Sequence, residues 1–308
     1  MTQEEIFDVI IIGGGAAGLS AGIYSSRARL STLILNEGAI GGQMVLTEEV
    51  ANYPGVESTK GYLRANTMKN QAKQFGCKIK SNLQIKSYDL KGEIKHVVLE
   101  DGREFSSRTV ILSPGGRPRP LGIPGEEEFK GKGISYCATC DGDFFTRKEV
   151  IVVGGGNSAL EEAVALTQYA KKVTIVHQFD HFQAFQHAID QAKENPEIEF
   201  IMESELRSFK GKGALQEVTL EHLPTGEISS MKIDGLFIFV GYIPNTGDLE
   251  GIVKLHERKE IVVDEGMKTS LPGVFAAGDC IVKRFRQIST AVADGTIASL
   301  SAAEFLRS

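Results

Sequence analysis

The chain has 308 residues, of which 42% are hydrophobic and 24% charged, and its formal net charge is −6 at pH 7. This length suits two domains of ordinary size, and the composition is typical of a soluble globular protein with a sizeable core. No apolar run approaches the roughly 20 residues that cross a bilayer, and the negative charge argues against nucleic acid as a partner. Because residues 1–8 lack the basic flank and cleavage site of a signal peptide, we expect a cytoplasmic protein.

The chain opens with a βαβ pattern. An apolar, β-branched run at 7–12 predicts a buried parallel strand, and a second strand is expected at 31–35. The residues between them predict a helix from Leu19 to about Arg29. A glycine-rich turn joins the first strand to this helix, so the pattern is that of a nucleotide-binding unit.

That glycine turn has the G-x-G-x-x-G spacing of a dinucleotide-binding loop. Gly13 permits the tight turn, Gly15 lets the backbone approach a pyrophosphate, and Gly18 lets helix and strand pack closely. The start of the helix supplies unpaired N–H groups and a positive dipole. A ribose is expected to be held about 20 residues further on, where Asn36 and Glu37 stand.

A second βαβ pattern repeats the first. Strands are expected at 149–153 and 172–176, with a helix from Leu160 to about Tyr169. The turn at 154–159 has G-x-G-x-x-A spacing and begins 141 residues after the first turn, as an internal duplication would place it. The sequence therefore predicts an α/β fold with two Rossmann-like, three-layer ββα nucleotide-binding domains, the second inserted in the first.

Two stiff, turn-rich segments, 114–120 and 241–245, flank the second pattern. The simplest organisation is a domain formed by 1–116 and 244–308, interrupted by an insert at 117–243. The insert carries 13 Lys+Arg and 19 Asp+Glu, whereas the remainder carries 21 of each. An acidic partner should therefore prefer the remainder.

Two of the four cysteines, Cys137 and Cys140, are spaced so that both would lie on one face of a helix. A thiolate at the start of a helix has a lowered pKa, which suits disulfide exchange. A zinc site would need a second Cys/His pair, and Cys77 and Cys280 are isolated. We therefore expect no metal and favour thiol–disulfide chemistry.

These motifs, taken in order along nearly the whole chain, resemble those of the low-molecular-weight thioredoxin reductase family. The segments that carry the resemblance are 13–18, 41–43, 52–55, 137–141, 154–162, 241–245, 276–279 and 286–287. The resemblance implies that the outer domain binds FAD, that thioredoxin is the substrate, and that the chain forms a homodimer.

The resemblance also assigns roles to individual residues. It implies that Cys140 faces the flavin, that Cys137 attacks the substrate disulfide, and that Asp141 is the nearby proton donor. The residues expected to bind FAD are Gly13, Gly15, Ala16, Ala17, Gly18, Asn36, Glu37, Gly42, Gln43, Asn52, Gly278, Asp279, Arg286, Gln287 and Ile288.

The chain departs from the family after the second strand of the insert. The family places arginines there to hold the 2′-phosphate of NADPH, but this chain has Gln178, Phe179 and Gln183 at those positions. No acid stands at the strand end to bind a 2′-hydroxyl either, since Asp180 comes three residues late. Losing several charge-assisted hydrogen bonds at about 1.5–3 kcal/mol each argues against NADPH as the donor.

This departure resembles a branch of the family, the ferredoxin-linked flavin thioredoxin reductases, which keep the cysteine pair and FAD but lack these arginines. Ferredoxin delivers one electron at a time and a disulfide needs two, and a flavin can join the two processes. The basic run at 283–286 follows Asp279 and is the expected docking site for an acidic ferredoxin.

Three alternatives stay open. The first is an NADPH-dependent thioredoxin reductase with an atypical cofactor loop, and the second is a flavin:disulfide oxidoreductase with another donor, such as a second flavin. Bleaching of the flavin by NADPH and the flavin stoichiometry distinguish these two. The third is a flavin sensor without catalysis, which has no need of a cysteine pair.

Overall fold

The chain folds into two units in a computed structural model that describes residues 5–46, 50 and 52–308. The outer unit is Met1–Arg117 with Ile243–Ser308, and the inserted unit is Pro118–Tyr242. The first four residues, part of the segment on which the cytoplasmic expectation depends, lie outside the described residues. No helix among the described residues has the length and apolarity needed to cross a membrane.

The helices and strands alternate along the chain as the two βαβ patterns require. The strands are β1 (Ile6–Ile12), β2 (Thr32–Leu35), β3 (Lys78–Lys80), β4 (Ile85–Asp89), β5 (Lys95–Leu99), β6 (Glu104–Leu112), β7 (Gly116–Pro118), β8 (Ile134–Ser135), β9 (Glu149–Val153), β10 (Lys172–Val176), β11 (Ile198–Ile201), β12 (Ser204–Lys210), β13 (Glu217–His222), β14 (Glu227–Lys232), β15 (Gly235–Ile238), β16 (Tyr242–Pro244) and β17 (Val274–Ala276). The α-helices are α1 (Ala16–Arg27), α2 (Gly61–Gln74), α3 (Glu126–Phe129), α4 (Ala138–Asp141), α5 (Asn157–Leu166), α6 (Gln186–Glu194) and α7 (Ile288–Phe305).

The outer unit is built on a seven-stranded sheet with the order β3-β2-β1-β6-β5-β4, in which β17 also pairs with the carboxyl half of β6. The strand β1 lies in its middle and is buried on both faces, which explains its unbroken apolar run. Val9 and Ile11 pack against helices α1, α2 and α7. Ile10 and Ile12 pack on the opposite face, against β5 and the segment before β17.

The inserted unit repeats this arrangement on a smaller scale. Its five-stranded sheet has the order β11-β10-β9-β15-β8, and all its pairs are parallel. Val150 and Val152 pack against α5 and α6, whereas Ile151 packs against the three-stranded antiparallel sheet β12-β13-β14. The predicted α/β class with two Rossmann-like, three-layer units is confirmed.

Helix α1 starts earlier than the sequence predicts, at Ala16, because Gly15 is already extended (φ −79°, ψ −167°) and serves as its N-cap. The helix packs against α7 at very close range. A Cβ at Gly295 on α7 would lie 2.1 Å from the carbonyl oxygen of Ala17. The hydroxyl of Ser20 donates to the carbonyl of Val292 at 2.9 Å, which fixes the same contact. This pair of helices therefore brings the first glycine turn and the end of β17 to one edge of the sheet.

Replacing Gly295 with alanine should destabilise the protein, because the new methyl group would meet backbone that has no room to move. Overpacking of this kind costs about 1–3 kcal/mol. A matched control is Gly247→Ala, since a Cβ at Gly247 meets nothing within 4 Å. We expect denaturant unfolding to show a lower midpoint for Gly295→Ala only. Equal midpoints for both variants would contradict the close packing.

Candidate active site and cofactor sites

The cysteine pair lies at the single-turn helix α4 in the inserted unit. Cys137 is the N-cap residue of α4, with extended backbone (φ −149°, ψ 104°). Cys137 and Cys140 are joined by a disulfide bond, with their Cα atoms 5.3 Å apart, and both side chains are partly exposed. The structure therefore brings the two predicted residues together as a bridge that a thiolate or a dithiol can open.

The other two cysteines are buried and free. Burial raises the pKa of the Cys77 thiol to about 11 and that of the Cys280 thiol to about 12. Both groups are therefore protonated at neutral pH and poorly suited to thiol exchange. Among the residues that the structure describes, no group of three or more His, Cys, Asp or Glu could hold a metal ion.

Asp141 follows the cysteine pair directly and is half-buried. Desolvation raises the pKa of its carboxyl, as does the nearby charge of Asp143, while a hydrogen bond from Ser135 lowers it. The Ser135 hydroxyl donates to Asp141 Oδ2 at 2.6 Å. Burial therefore brings the pKa of this carboxyl closer to that of a thiol, which suits proton transfer between the two groups.

A second carboxylate, which the sequence analysis missed, holds the segment before the cysteines. Glu126 is buried and accepts hydrogen bonds from the N–H groups of Leu121 and Gly122, at 3.1 and 2.8 Å. It also accepts one from the hydroxyl of Tyr136, at 2.5 Å. Nothing in the sequence distinguishes Glu126 from the two glutamates that follow it, since only the fold turns it inward.

The first glycine turn of the outer unit has the close approaches that its spacing predicts. Gly13 has φ +100°, and a Cβ there would lie 2.2 Å from the carbonyl oxygen of Ser113. A Cβ at Gly18 would lie 1.9 Å from the carbonyl oxygen of Gly13. The turn also adjoins a second glycine-rich loop, because a Cβ on Gly42 would lie 3.2 Å from the Cα of Gly15. Bare backbone therefore faces the start of α1, as a pyrophosphate site requires.

Asn36 stands at the end of β2, as expected, but its amide supports the glycine turn. Its Oδ1 accepts a hydrogen bond from the N–H of Gly14 at 2.7 Å, and its Nδ2 donates to the carbonyl of Gly38 at 2.6 Å. The neighbouring Glu37 accepts from the N–H of Ile85 at 3.2 Å. Contact of Asn36 or Glu37 with a ribose stays a prediction.

Asp279 follows β17 at the same edge of the sheet. Its Oδ1 atom is buried and has no hydrogen-bond partner among the described residues. Desolvation raises the pKa of this carboxyl, against the opposing charges of Lys283 and Arg286. A buried acceptor without a donor is costly, so Asp279 fits a ligand that brings hydroxyl groups, as the ribityl chain of a flavin does.

The segment between β17 and α7 brings distant parts of the chain together. Gln287 is the N-cap of α7 and forms a capping box with Thr290, and Asn52 Nδ2 donates to Gln287 Oε1 at 3.2 Å. Ile288, the first residue of α7, packs with Ala16 and Ala17 in the core between the sheet and helices α1, α2 and α7. Most of the predicted FAD-site residues are thus contributed by the carboxyl ends of β1, β2 and β17 and the starts of α1 and α7, whereas Gly42, Gln43 and Asn52 lie between β2 and α2. Gln43 lies in a 3₁₀ segment at Gly42–Leu46.

Docking of a ferredoxin at 283–286 stays a prediction, but two of the three cations in this run are already engaged in ion pairs. Lys283 forms an ion pair with Asp294, and the two side chains are only 12% and 13% exposed. Arg286 pairs with Glu260, which is buried. The guanidinium of Arg284 lies over the ring of Phe285, 5.0 Å from its centroid. Lys283 and Arg286 therefore serve the interior of the outer unit, which the sequence alone does not reveal, whereas Arg284 is exposed.

The second glycine turn keeps its backbone but not its charges. Gly154 has φ +139°, and a Cβ there would lie 2.5 Å from the carbonyl oxygen of Phe239. The following segment, 177–185, contains no Lys or Arg. His177 is buried, burial lowers its pKa, and its ring stacks on Phe182 with centroids 5.7 Å apart. The turn therefore fits a nucleotide backbone, but the 177–185 segment offers no cation to a 2′-phosphate.

Comparison with known proteins places the chain. The family model described as pyridine nucleotide-disulphide oxidoreductase matches residues 7–295. The thioredoxin reductase of Bacillus subtilis is 43% identical, over 99% of this chain and 96% of that protein, and that of Peptoclostridium acidaminophilum is 42% identical, over 99% and 98%. The crystal structure of thioredoxin reductase from Streptococcus pyogenes superposes with a TM-score of 0.93 at 39% identity, covering 98% of each chain. The chain therefore belongs to the pyridine nucleotide-disulphide oxidoreductase family, among its low-molecular-weight thioredoxin reductases.

Proposed function

We propose that this chain is an FAD-dependent thioredoxin reductase that passes two electrons through the Cys137–Cys140 disulfide to the disulfide of thioredoxin. The observation that carries the proposal is the disulfide itself, which joins two partly exposed cysteines and is followed directly by Asp141, a carboxyl whose pKa is raised by burial. Relatives that are 42% and 43% identical to this chain over nearly their whole length are named thioredoxin reductase. A homodimer in the cytoplasm, as the resemblance implies, stays a prediction.

FAD is the cofactor of this chain, and when bound it supplies the electron pair that opens the disulfide. In our proposal the pyrophosphate is held by the turn Gly13–Gly18 and the adjoining Gly42. Asp279 accepts hydrogen bonds from ribityl hydroxyls, which would satisfy its unpaired oxygen. Asn52 and Gln287, which are hydrogen-bonded to each other, would lie near the flavin ring.

We further propose that reduced ferredoxin, and not NADPH, is the electron donor. The support is chemical, because a 2′-phosphate needs cations and the 177–185 segment offers Gln178, Phe179 and Gln183 instead. The principal alternative is NADPH itself. Two observations favour it: the second glycine turn is intact, and Glu162 beside it has a buried oxygen without a hydrogen-bond partner among the described residues. A ligand at this turn would explain that oxygen.

Either cysteine variant, Cys137→Ser or Cys140→Ser, should abolish thioredoxin reduction while FAD stays bound, because an electron pair cannot enter or leave a single thiol. The Cys140→Ser variant should alter the flavin absorption spectrum more, if its sulfur is the one that meets the ring. Cys77→Ser is the matched control and should keep its activity. Reduction of thioredoxin by Cys137→Ser or Cys140→Ser would contradict the assignment of this pair as the redox-active disulfide.

Asp279→Ala should weaken FAD binding about 10- to 100-fold, since hydrogen bonds to a charged group contribute about 1.5–3 kcal/mol. The measurement is titration of the apoprotein with FAD, followed by quenching of flavin fluorescence. Glu265→Ala removes an exposed acid of the same unit and should leave the affinity unchanged. An unchanged affinity in Asp279→Ala would remove this residue from the FAD site.

The donor is tested by anaerobic reduction of the bound flavin with reduced ferredoxin, NADPH and NADH in parallel. We expect ferredoxin to be fast and NADPH slow. The triple variant Gln178→Arg, Phe179→Arg and Gln183→Arg should then gain NADPH-driven reduction without a matching gain for NADH, which lacks the 2′-phosphate. If NADPH bleaches the wild-type flavin at the rate of turnover, the ferredoxin proposal fails and the NADPH-dependent reductase replaces it.

A further inference from the structure

Ser135 connects the two groups that a thiol exchange at this site would need. It is the last residue of β8 and is buried. The backbone N–H of Cys137 donates to Ser135 Oγ at 3.1 Å, and Ser135 Oγ lies 2.6 Å from Asp141 Oδ2. A single hydroxyl thus touches the main chain of one cysteine and the side chain of the acid beside the other.

The direction of these hydrogen bonds follows from what a hydroxyl can offer. Serine has one proton and two lone pairs, and the N–H of Cys137 already uses a lone pair. The proton therefore goes either to the carbonyl of Cys137, 3.3 Å away, or to the Asp141 carboxylate at 2.6 Å. Lengths of about 2.5–2.7 Å are typical of O–H donors on carboxylates, so Asp141 is the acceptor.

The position of Ser135 is itself fixed by the sheet. Strand β8 pairs in parallel with β15, and Ser135 lies opposite Phe237, which is fully buried. Cys137 starts α4 without a side-chain cap of its own. Through Ser135 the sheet therefore helps to hold the four-residue helix α4 in place. A helix of this length has little stability of its own.

We propose that Ser135 is a positioning residue for the dithiol–disulfide exchange, holding the Asp141 carboxyl and the Cys137 main chain in a fixed relation. This inference rests on the proposed function of the Cys137–Cys140 pair. It adds a residue to that site and a reason why the acid stays in place while the disulfide opens and closes.

In the reduced enzyme, the dithiol–disulfide exchange proceeds through two successive thiolate attacks. The Cys137 thiolate attacks one sulfur of the partner disulfide, forming a mixed disulfide, and the partner sulfur that leaves takes a proton from the Asp141 carboxyl. The ionised Asp141 then takes the proton of the Cys140 thiol. The Cys140 thiolate attacks Cys137 Sγ, which closes the enzyme disulfide and releases the second partner sulfur as a thiolate. The enzyme dithiol is oxidised and the partner disulfide reduced by two electrons.

Ser135 also affects when Asp141 holds its proton. Its hydrogen bond to the carboxylate lowers the pKa of Asp141, against desolvation and the charge of Asp143, which raise it. Of the neighbouring elements, α5 carries Glu161 and Glu162, Tyr136 precedes Cys137, and Tyr169 approaches Gly142. Removing the hydroxyl should therefore raise the pKa of Asp141, so the alkaline limb of a rate profile that needs its protonated form should move to higher pH.

The test compares Ser135→Ala with Ser135→Thr, which keeps the hydroxyl, and with Ser229→Ala, a serine on the exposed strand β14. We expect kcat for thioredoxin to fall about ten-fold or more in Ser135→Ala, since misplacing a reacting group can cost up to about 10²-fold. Its alkaline limb should shift upward, and FAD content and donor-driven flavin reduction should be unchanged. Ser135→Thr should recover most of both properties, and Ser229→Ala should resemble the wild type.

A double-mutant comparison separates positioning from general damage. If Ser135 acts through Asp141, adding Ser135→Ala to Asp141→Asn should cost little beyond Asp141→Asn alone. Fully additive losses, or an unchanged kcat and pH profile in Ser135→Ala, would overturn the proposal. The proposal would also be overturned if Ser135→Ala lost FAD or had a lower melting temperature and Ser135→Thr did not restore the pH profile of the wild type.

The choice of substrate keeps this test independent of the proposed function. The same variants are assayed with a small aromatic disulfide, which any exposed dithiol reduces. If the wild type reduces the small disulfide but not thioredoxin, the proposed function fails, while the pH shift in Ser135→Ala still supports the role of Ser135.

Discussion

Taking carboxylates out of water is the constraint on which both sites of this protein depend. A buried carboxylate is stable only when cations or hydrogen-bond donors replace its hydration. In the outer unit Asp294 has Lys283, and Glu260 has Arg286. Asp279 lies beside both cations, yet one of its oxygens has no donor among the described residues. This oxygen therefore still needs hydrogen-bond donors, which the hydroxyl groups of a flavin would supply. That need distinguishes Asp279 from Asp294 and Glu260.

In the inserted unit, neutral hydrogen-bond donors replace the hydration that the buried carboxylates have lost. Glu126 receives two backbone N–H groups and the hydroxyl of Tyr136, and Asp141 receives the hydroxyl of Ser135. Without a cation nearby, the pKa of Asp141 stays raised by burial, which suits a group that must give and take a proton. A lysine in place of Ser135 would hold Asp141 ionised and remove that property. The different partners thus give the buried carboxyls of the two units different electrostatic surroundings, in line with the different roles proposed for Asp279 and Asp141.

Most of the fold could be predicted from the sequence because its signals are local. The apolar run at 7–12 and the spacing of Gly13, Gly15 and Gly18 describe a buried strand and a close turn without reference to anything distant. The partners of charged groups are different, because Lys283 and Asp294 are 11 residues apart and only the start of α7 brings them together. The same run of sequence, 283–286, is compatible with a solvated surface or with an interior network, and only the fold shows that Lys283 and Arg286 belong to the network while Arg284 is exposed. The role of Ser135 could not be predicted for a related reason. A serine two residues before a cysteine indicates no contact in the sequence, because only the positions of β8 and α4 direct its hydroxyl toward Asp141.

The second glycine turn shows how the backbone of a turn can be held independently of the charges around it. The backbone N–H of Gln183 donates to the carbonyl of Gly155 at 2.8 Å, and that of Phe185 donates to Asn157 Oδ1 at 2.7 Å. These bonds use main chain on the 177–185 side, so they do not depend on whether arginine or glutamine stands there. The stack of His177 on Phe182 adds apolar contact in the same segment. Arginines that bind a phosphate contribute little to such packing, whereas the sheet that carries Cys137 needs the turn intact. The backbone of the turn can therefore be kept whichever side chains stand at 178, 179 and 183, so an intact turn does not by itself identify the electron donor.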